Sequence, residues 1–367
     1  MITASTEADP GTPANAPETP YLAVDLEVME RNLRRAADDA RERGIALRPH
    51  AKTHKVPEIG RRQLELGAAG LTLATVAEAE VFAAAGFSDI FLAYPVWPSA
   101  ARVTRLRDLA ERASLRLGID SVESAQALGS ALAGAGVEVL VEVDSGHHRS
   151  GVQPSDAAEV ALAAARSGLR IVGVFTFPGH GYAPGAGRQA AQDEASAITI
   201  AAEAIHAAGL EISVRSGGST PTRADADPAA LTELRPGVYV FNDAQQVELG
   251  TCSFEEVALS AMATVVSRSG QHAIVDAGSK VLGADRAAWA TGFGRLPDTP
   301  AARIIALSEH HATIRFPDGE PVPERGSVLR IVPNHVCATV NLADELLVVR
   351  AGEIVDSWAV AARGANT

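Results

Sequence analysis

The sequence of 367 residues is poor in cysteine, with only Cys252 and Cys337. Two cysteines cannot build the disulfide framework of a small secreted protein, so we expect a reducing compartment and a cytoplasmic location. Long apolar runs are also absent, because no stretch approaches the ~20 residues that a membrane-spanning helix needs. The sequence therefore argues against a disulfide-rich secreted protein and predicts no transmembrane helix.

Basic residues are in deficit, since 32 Lys and Arg stand against 45 Asp and Glu and give a formal net charge of −13. That balance argues against nucleic acid or an anionic membrane surface as a partner. It does not exclude a small anionic ligand, because a local cationic pocket can lie in an acidic surface. Hydrophobic residues make up 47% and charged residues 21%, which is typical of a globular protein with a large core.

Residues 1–19 lack a basic start and an apolar segment, and are rich in Ala, Pro, Thr and acidic residues. This composition predicts a disordered tail and not a signal peptide. The next residues, Tyr21-Leu-Ala-Val-Asp25, predict a strand, and Asp25 is suited to cap a helix that runs to Arg43. We therefore expect the structured part of the chain to begin at about residue 20.

From residue 45 onward, short apolar runs alternate with alanine-rich stretches of helical spacing. Eight such runs occur: 45–49, 70–74, 89–94, 115–120, 137–144, 170–177, 211–216 and 237–243. Eight strands separated by helices predict an α/β fold with a (β/α)8 barrel over residues 20–254. An open doubly wound sheet is the alternative, but it would need a Gly-rich dinucleotide turn after the first strand, where this sequence is basic.

The pattern changes near residue 250, where short apolar runs are separated by Gly and Pro and helical spacing becomes rare. These features are typical of antiparallel strands. We therefore predict a second, mostly antiparallel β domain over residues 255–367.

One stretch concentrates titratable groups directly after the first predicted strand. Arg48-Pro-His-Ala-Lys52-Thr-His-Lys55 holds two lysines, two histidines and an arginine. A lysine among cationic groups loses its proton more readily, and a neutral amine attacks a carbonyl to form a Schiff base. The sequence thus predicts that Lys52 carries an aldehyde cofactor, with a basic surface loop as the alternative reading.

The same stretch resembles the lysine segment of the D-threonine aldolase and eukaryotic-type (metal-activated) D-serine dehydratase family. These are pyridoxal-phosphate enzymes with an alanine-racemase-like barrel, the type III fold. The resemblance implies that Lys52, and not Lys55, binds pyridoxal 5′-phosphate. It also implies that the strand at Tyr21 joins the β domain and that the protein is a homodimer acting on a small D-amino acid. Segments similar to the family extend from about Pro20 to Val360.

In a barrel of this kind the reacting groups lie at the carboxyl ends of the strands. Candidates at the predicted strand ends are His50, Lys52, Thr75, Tyr94, Asp144, His147, His148, Arg149, His180, Tyr182, Ser216–Thr220, Tyr239, Asn242 and Asp243. Among these, Lys52 and His50 are the predicted catalytic residues, with His50 as a potential base.

The loop after the seventh predicted strand is the phosphate candidate. Gly217 and Gly218 allow backbone amides to approach a ligand, while Ser219 and Thr220 add hydroxyl donors. An ordinary Gly-Ser turn is the alternative. The resembled family binds phosphate at a similar segment and at one like Pro236-Gly-Val-Tyr-Val-Phe241, which adds Gly237 and Tyr239.

Two further loops resemble cofactor-binding segments of the family. The stretch around Arg149 resembles the segment whose arginine lies beside the phenolic oxygen of the cofactor, where a fixed cation stabilises the phenolate. The stretch ending at Tyr182 resembles the segment that places an aromatic side chain near the pyridine ring. A solvated arginine on a surface loop is the other interpretation for Arg149.

A metal site is predicted from His335 and Cys337, within Pro333-Asn-His-Val-Cys-Ala-Thr-Val-Asn341. On a strand, two residues in His-x-Cys spacing lie on one face about 7 Å apart. Imidazole with thiolate suits Zn²⁺ best, with Mn²⁺ or Mg²⁺ as alternatives, and two protein ligands leave positions open for water or substrate. A buried core cysteine beside a histidine is the alternative that the residues alone favour.

The resemblance favours the metal site. The family binds a catalytic divalent ion through a histidine and a residue two positions later, which is cysteine in dehydratase-type members and aspartate in aldolase-type members. Leu307-Ser-Glu-His-His311 departs from a Ser-Glu-Glu-His segment of the family, so no role is assigned to Glu309, His310 or His311.

These observations favour a pyridoxal-phosphate lyase that dehydrates D-serine or D-threo-3-hydroxyaspartate. A D-threonine aldolase, which would cleave the Cα–Cβ bond, is the alternative, and only Cys337 separates the two. A racemase is disfavoured because no tyrosine follows Tyr239 to act as the second base. A non-catalytic carrier on a similar barrel would lack the β domain.

Overall fold

The computed structural model describes residues 16–367 and divides into two compact units. A barrel unit comprises Leu33–Tyr239 and Gly364–Thr367, and a β unit comprises the residues up to Asn32 together with Val240–Arg363. The first fifteen residues of the predicted disordered tail lie outside the described residues. Strand β1 (Tyr21–Asp25) leads directly into helix α1 (Leu26–Glu42). The boundary between the two units in the sequence falls inside α1, between Asn32 and Leu33.

Eight parallel strands form the sheet of the barrel unit. They are β2 (Ala46–Leu47), β3 (Leu71–Leu73), β4 (Asp89–Pro95), β5 (Ser114–Ile119), β6 (Glu138–Glu142), β7 (Arg170–Phe175), β8 (Val214–Gly217) and β9 (Glu233–Leu234). Their order in the sheet is β2-β9-β8-β7-β6-β5-β4-β3. A parallel bridge between His50 and Thr72 joins the two ends. The predicted (β/α)8 barrel is therefore confirmed.

Helices separate most of the barrel strands. They are α2 (Pro57–Glu65), α3 (Val76–Ala84), α4 (Ala100–Ala110), α5 (Val122–Ala131), α6 (Ala157–Arg166) and α7 (Gly187–Ala207). Local sequence explains where several begin: the hydroxyls of Thr75 and Ser121 accept backbone N–H groups at the first turns of α3 and α5, and Pro57 opens α2. No helix separates β8 from β9 in this described region, where only a 3-10 turn intervenes.

The eighth strand lies earlier than the sequence predicted. The strand is Glu233–Leu234, paired with β2 and β8, whereas the predicted run 237–243 contains a 3-10 turn, Val238–Val240. Pro236 has no N–H to donate to a sheet, so pairing ends before it. Tyr239 therefore lies in the loop after the strand, on the side of the barrel where ligands bind.

The barrel interior combines aromatic packing with buried charge. Phe91 and Phe175 meet edge to face with centroids 5.1 Å apart, and the Arg235 guanidinium lies over both rings. Arg48 donates to Glu233 at 2.6 Å and to Asp89 at 2.7 Å. Because buried charges require partners, these contacts compensate part of the desolvation of Arg48 and Glu233.

The β unit is built on a mixed but mostly antiparallel sheet. Its strands after β1 are β10 (Leu259–Ser269), β11 (His272–Val275), β12 (Gly294–Arg295), β13 (Arg303–Leu307), β14 (Ala312–Arg315), β15 (Val328–Pro333), β16 (Glu345–Arg350) and β17 (Glu353–Ala359). β1 pairs antiparallel with β10 and parallel with β16, so the strand at Tyr21 does join this sheet. Three short helices are α8 (Ala244–Glu248), α9 (Ser279–Leu282) and α10 (Val336–Val340). Within residues 16–367, no helix is both long and apolar enough to cross a lipid bilayer.

Candidate active site

Lys52 lies at the end of the first barrel strand, in a 3-10 turn formed by Ala51–Thr53. The sequence contains two other lysines, and the structure places both in ion pairs. Lys55 is buried and pairs with Glu78 at 3.0 Å, and Lys280 pairs with Glu309 at 2.7 Å on the surface of the β unit. Carboxylates therefore hold Lys55 and Lys280, and Lys52 stays the candidate for the cofactor lysine.

Phe177 is the side chain around which the barrel-mouth residues gather. The Lys52 Nζ lies 5.8 Å from the centroid of its ring, and the Arg149 Cζ lies 5.2 Å from it. The His147 ring meets it edge to face at 5.5 Å, and the Tyr182 ring lies at 6.2 Å. The structure therefore brings together four predicted residues from the loops after β2, β6 and β7.

Sequence reasoning did not single out Phe177, although it is the last residue of the predicted sixth apolar run. Its position at a strand end, followed by Pro178 and Gly179, was the available signal. A Cβ on Gly179 would lie 2.6 Å from the His147 ring, so a larger residue there would displace that ring. The close approach of these two loops is what places His147 against Phe177.

Arg149 is half exposed, and among the described residues the nearest carboxylate that forms an ion pair with its guanidinium is that of Glu142. Its Nη2 lies 3.9 Å from the Glu142 Oε1. Burial raises the pKa of Glu142, although Ser150 and Arg149 act in the opposite direction. Arg149 therefore presents a cation at the barrel mouth without a close ion pair to Glu142.

His50 follows β2 and lies at the junction that closes the barrel. Burial lowers its pKa well below the usual value, and the charges of Lys52 and Arg235 lower it further. Its Nδ1 is buried and has no hydrogen-bond partner among the described residues. The ring is therefore neutral, with Nδ1 as an open acceptor, but its lowered pKa makes it a weaker base than an ordinary histidine.

Two backbone N–H groups of the loop after β8 already have acceptors within the protein. The Gly218 N–H donates to the Glu194 Oε1 at 2.6 Å, and the Ser219 N–H donates to the Thr222 Oγ1 at 2.9 Å. Glu194 is fully buried, and burial raises its pKa to about 7. Sequence reasoning missed Glu194, because nothing in the pattern of α7 marks one buried acid as a support for a distant loop.

Gly237 and Tyr239 connect the phosphate-candidate loop to the lysine segment. A Cβ on Gly237 would lie 2.6 Å from the Thr53 Oγ1 and 3.1 Å from the His50 carbonyl oxygen. The Tyr239 N–H donates to the Thr220 Oγ1 at 3.1 Å, and its buried hydroxyl accepts from the Gln63 Nε2 at 3.1 Å. The barrel thus brings Gly217–Thr220, Gly237, Tyr239 and the Lys52 segment into one region.

His335 and Cys337 lie in the β unit, with side chains within hydrogen-bonding reach of each other. Electrostatic interaction with Cys337 and then with Asp243 raises the pKa of His335 well above its usual value. Imidazole beside a thiol is a donor set that fits Zn²⁺. Within the part of the chain that the structure describes, no group of three or more His, Cys, Asp and Glu is arranged to hold a metal ion. An ion held here would depend on two protein ligands.

The predicted strand setting of this pair is wrong. β15 ends at Pro333, and His335 is the N-cap of α10, which starts at Val336 and includes Cys337. The two side chains still meet, because the extended backbone of the cap residue leads directly into the first helical turn. No disulfide joins Cys337 to Cys252.

Two family models match the chain. The model for the "alanine racemase, N-terminal domain" matches residues 24–245, and the model for the "putative serine dehydratase domain" matches residues 258–349. The first match covers the barrel strands and the second covers most of the β unit.

Two characterised relatives match nearly the whole chain. D-threo-3-hydroxyaspartate dehydratase of Delftia sp. (strain HT23) is 37% identical over 88% of this chain and 91% of its own length. D-threonine aldolase of Arthrobacter sp. is 37% identical over 97% of this chain and 96% of its own length. Equal identity to a dehydratase and to an aldolase leaves the reaction to be decided by the site.

Solved structures of related enzymes also match nearly the whole chain. D-threonine aldolase from Filomicrobium marinum superposes with a TM-score of 0.89 at 33% identity, covering 96% of this chain and 98% of its own. A metal-free form of a Cys→Ala variant of D-threo-3-hydroxyaspartate dehydratase superposes with a TM-score of 0.86 at 34% identity, covering 94% and 97%. A further structure of that dehydratase carries a His→Ala change two positions before the cysteine.

Proposed function

The chain belongs to the family of pyridoxal-phosphate enzymes that joins an alanine racemase N-terminal domain to a serine dehydratase domain, and from this membership we propose that it dehydrates a D-β-hydroxy-α-amino acid. The substrate class is D-serine or D-threo-3-hydroxyaspartate. The observation that carries the proposal is Cys337 two positions after His335. The related dehydratase has been studied through variants of a histidine and a cysteine with this same spacing.

The barrel-mouth residues fit pyridoxal phosphate. Lys52 would bind the cofactor covalently. Phe177, whose ring lies near both the Lys52 amine and the Arg149 guanidinium, would help to orient the cofactor. Arg149 supplies a cation for the phenolate, and Tyr182 supplies an aromatic face next to Phe177. Gly217, Gly218, Ser219, Thr220, Gly237 and Tyr239 form the proposed phosphate side. The bound cofactor supplies the electron sink that makes the α-proton of an amino acid acidic.

The remaining steps are removal of the α-proton, assigned to Lys52, and activation of the leaving hydroxyl, assigned to a metal ion at His335 and Cys337. The Lys52 Nζ takes the α-proton of the D-amino acid, and the β-hydroxyl leaves with a proton as water. The enamine that is released tautomerises to an imine, and a solvent water hydrolyses the imine to a keto acid and ammonium. His335 and Cys337 would hold a divalent ion, Zn²⁺ in preference to Mn²⁺ or Mg²⁺, and such an ion supplies Lewis-acid activation of a leaving hydroxyl. We propose that the working enzyme is a cytoplasmic homodimer.

A D-threonine aldolase is the second candidate, because a relative of that name matches 97% of this chain. In that reaction a base takes the proton of the β-hydroxyl and the Cα–Cβ bond breaks, giving glycine and an aldehyde. His50 is the candidate base because its buried Nδ1 has no partner among the described residues, although its lowered pKa makes it a weak proton acceptor.

Product analysis separates the two reactions. Purified enzyme is incubated with D-serine, D-threonine and D-threo-3-hydroxyaspartate, with and without a chelator. We expect pyruvate or oxaloacetate with ammonium, and loss of activity with chelator. Glycine with acetaldehyde from D-threonine as the main products would overturn the dehydratase proposal. Formation of the L-amino acid from any of the three D-amino acids would indicate a racemase.

Replacement of the second ligand provides a matched variant for the same assay. Cys337→Asp keeps an anionic ligand but gives the residue that aldolase-type members have. We expect the ratio of keto acid to glycine to fall in this variant. An unchanged product ratio would show that Cys337 does not select the reaction.

A further inference from the structure

One buried carboxylate, that of Asp243, contacts two short helices of the β unit. Its Oδ1 accepts the Gln246 N–H at 2.9 Å and so caps α8. Its Oδ2 accepts the Val336 N–H at 3.1 Å, at the start of α10. The same Oδ2 lies 3.5 Å from the His335 Nδ1. Asp243 is completely buried, so protein groups such as these three take the place of water as partners of its carboxylate.

The contact with the ring defines which imidazole nitrogen faces the protein. Because Nδ1 faces the carboxylate, Nε2 is the nitrogen left for an ion. The His335 side chain is 25% exposed, whereas Asp243 has no exposed surface. A buried carboxylate behind a partly exposed imidazole is the arrangement that fixes ring orientation and tautomer in metal sites.

The backbone on both sides of His335 is also held. The buried Asn334 donates through its Nδ2 to the Gly292 carbonyl at 2.7 Å, and its own carbonyl accepts the Gln245 N–H at 3.2 Å. On the other side, the Val336 N–H is bonded to Asp243. Residue 335 therefore has little backbone freedom, and the remaining freedom of its ring is limited by the Asp243 carboxylate.

From this geometry we infer that Asp243 is a positioning residue that orients His335 and thereby sets the affinity of the His335–Cys337 pair for a divalent metal ion. The inference rests on the proposed metal site. With only two protein ligands, little else in the pair can compensate for a misplaced imidazole. Loss of a carboxylate behind a metal-binding histidine typically weakens metal binding 10–100-fold.

Two variants separate orientation of His335 from capping of α8. Asp243→Ser keeps a residue that is preferred at a helix N-cap but removes the carboxylate. Asp243→Asn keeps the shape and removes the charge. Ser121→Ala is the matched control, because it removes the cap of α5 in the barrel unit and leaves the Asp243 contacts intact. His335→Ala is the control for loss of a ligand.

The measurement is Zn²⁺ affinity of the cofactor-loaded enzyme, stripped by chelator and titrated against a chromophoric competitor. We expect both Asp243 variants to bind Zn²⁺ about 10–100-fold more weakly than the wild type, and Ser121→Ala to bind it equally well. Wild-type affinity in either folded Asp243 variant would overturn the inference. Equal Zn²⁺ binding by the wild type and His335→Ala would instead overturn the metal site itself.

A second measurement needs no variant. In the Zn²⁺-loaded wild type, the imidazole ¹⁵N shifts of His335 should show a protonated Nδ1 and a metal-bound Nε2. Metal bound to Nδ1 would contradict the inference, even if the Asp243 variants failed to fold.

Discussion

Phe177 shows at the scale of one residue how a side chain with no reactive group can organise a site. Its ring contacts the Lys52 amine, the Arg149 guanidinium, the His147 ring and the Tyr182 ring. A cation near an aromatic face gains about 0.5–1 kcal/mol when partly exposed. Two such contacts favour one arrangement of Lys52 and Arg149 over the others that their long side chains can adopt.

Replacing Phe177 by leucine keeps apolar volume and removes the ring face. We expect kcat/KM to fall about twofold to fivefold, since Lys52 would be bound to the cofactor in the working enzyme and the remaining Arg149 contact is worth roughly 0.5–1 kcal/mol. Steady-state kinetics on the preferred D-amino acid measure the effect, and Phe175→Leu in the barrel interior is the comparison for lost packing. Wild-type kcat/KM in Phe177→Leu would show that the ring does not orient the site.

His54, two residues after Lys52, should make the stability of the fold depend on pH. It is fully buried, its Nδ1 accepts the Val56 N–H, and burial lowers its pKa to about 4. The unfolded chain then binds the proton more tightly than the folded one, so stability falls as pH drops from about 6.5 towards 4. Between pH 7 and pH 5 this one group should cost about 2 kcal/mol.

His54→Asn keeps an acceptor for the Val56 N–H and cannot gain a proton in this range. Urea unfolding of both proteins at pH 7 and pH 5 isolates the contribution of His54, since other groups titrate in both. We expect the loss of unfolding free energy on acidification to be smaller in the variant by about 2 kcal/mol. Equal losses in the two proteins would mean that folding does not lower the pKa of His54.

The segment Gly364–Thr367 supplies an example at the scale of one element. It belongs to the barrel unit, where the Ala365 carbonyl accepts the Thr75 hydroxyl at 2.7 Å and the Thr367 carbonyl accepts the Ala77 N–H at 2.8 Å. The Asn366 Oδ1 accepts from the Lys55 Nζ at 3.4 Å. These contacts tie the start of α3 to the end of the Lys52 segment.

Deleting residues 364–367 should loosen the lysine segment while leaving the barrel strands intact. We expect weaker retention of the cofactor, by about threefold to tenfold, because the lost hydrogen bonds are worth about 1 kcal/mol each and part of this loss falls on Lys55. Dialysis followed by visible absorbance measures retention. Asn366→Ala is the milder comparison, and full retention in the deletion variant would contradict the role of the segment.

Elements were predictable where the sequence pattern reflects local physics. Alternation of apolar runs with alanine-rich stretches predicted seven barrel strands close to their observed positions. Strand ends suggested Lys52, Arg149 and Tyr182 as site residues, and the structure places all three near Phe177. The eighth strand was misplaced because the apolar run after Pro236 resembles a strand but lacks the pairing that Glu233 and Leu234 make. The helix at Val336 was missed because its start depends on Asp243, which lies ninety-three residues earlier.

At the scale of the whole molecule, the two units carry different parts of the proposed chemistry. The barrel unit contains Lys52 and the proposed cofactor residues, and the β unit contains His335, Cys337 and Asp243. Contacts between residues far apart in sequence could not be predicted from local periodicity. Examples are the contact of Asp243 with Val336 and that of Glu194 with Gly218. They follow from the packed structure alone.

The central claim is that Lys52 binds the cofactor, and the chain is well suited to test it because only Lys55 and Lys280 compete. Holoenzyme is reduced with borohydride, which fixes the cofactor to its amine, and is then digested and mapped by mass spectrometry. The pyridoxyl group should be found on Lys52, in the peptide that contains His50, and Lys52→Ala should give none. Label on Lys55 or Lys280, or no label on the cofactor-loaded wild type, would contradict the account.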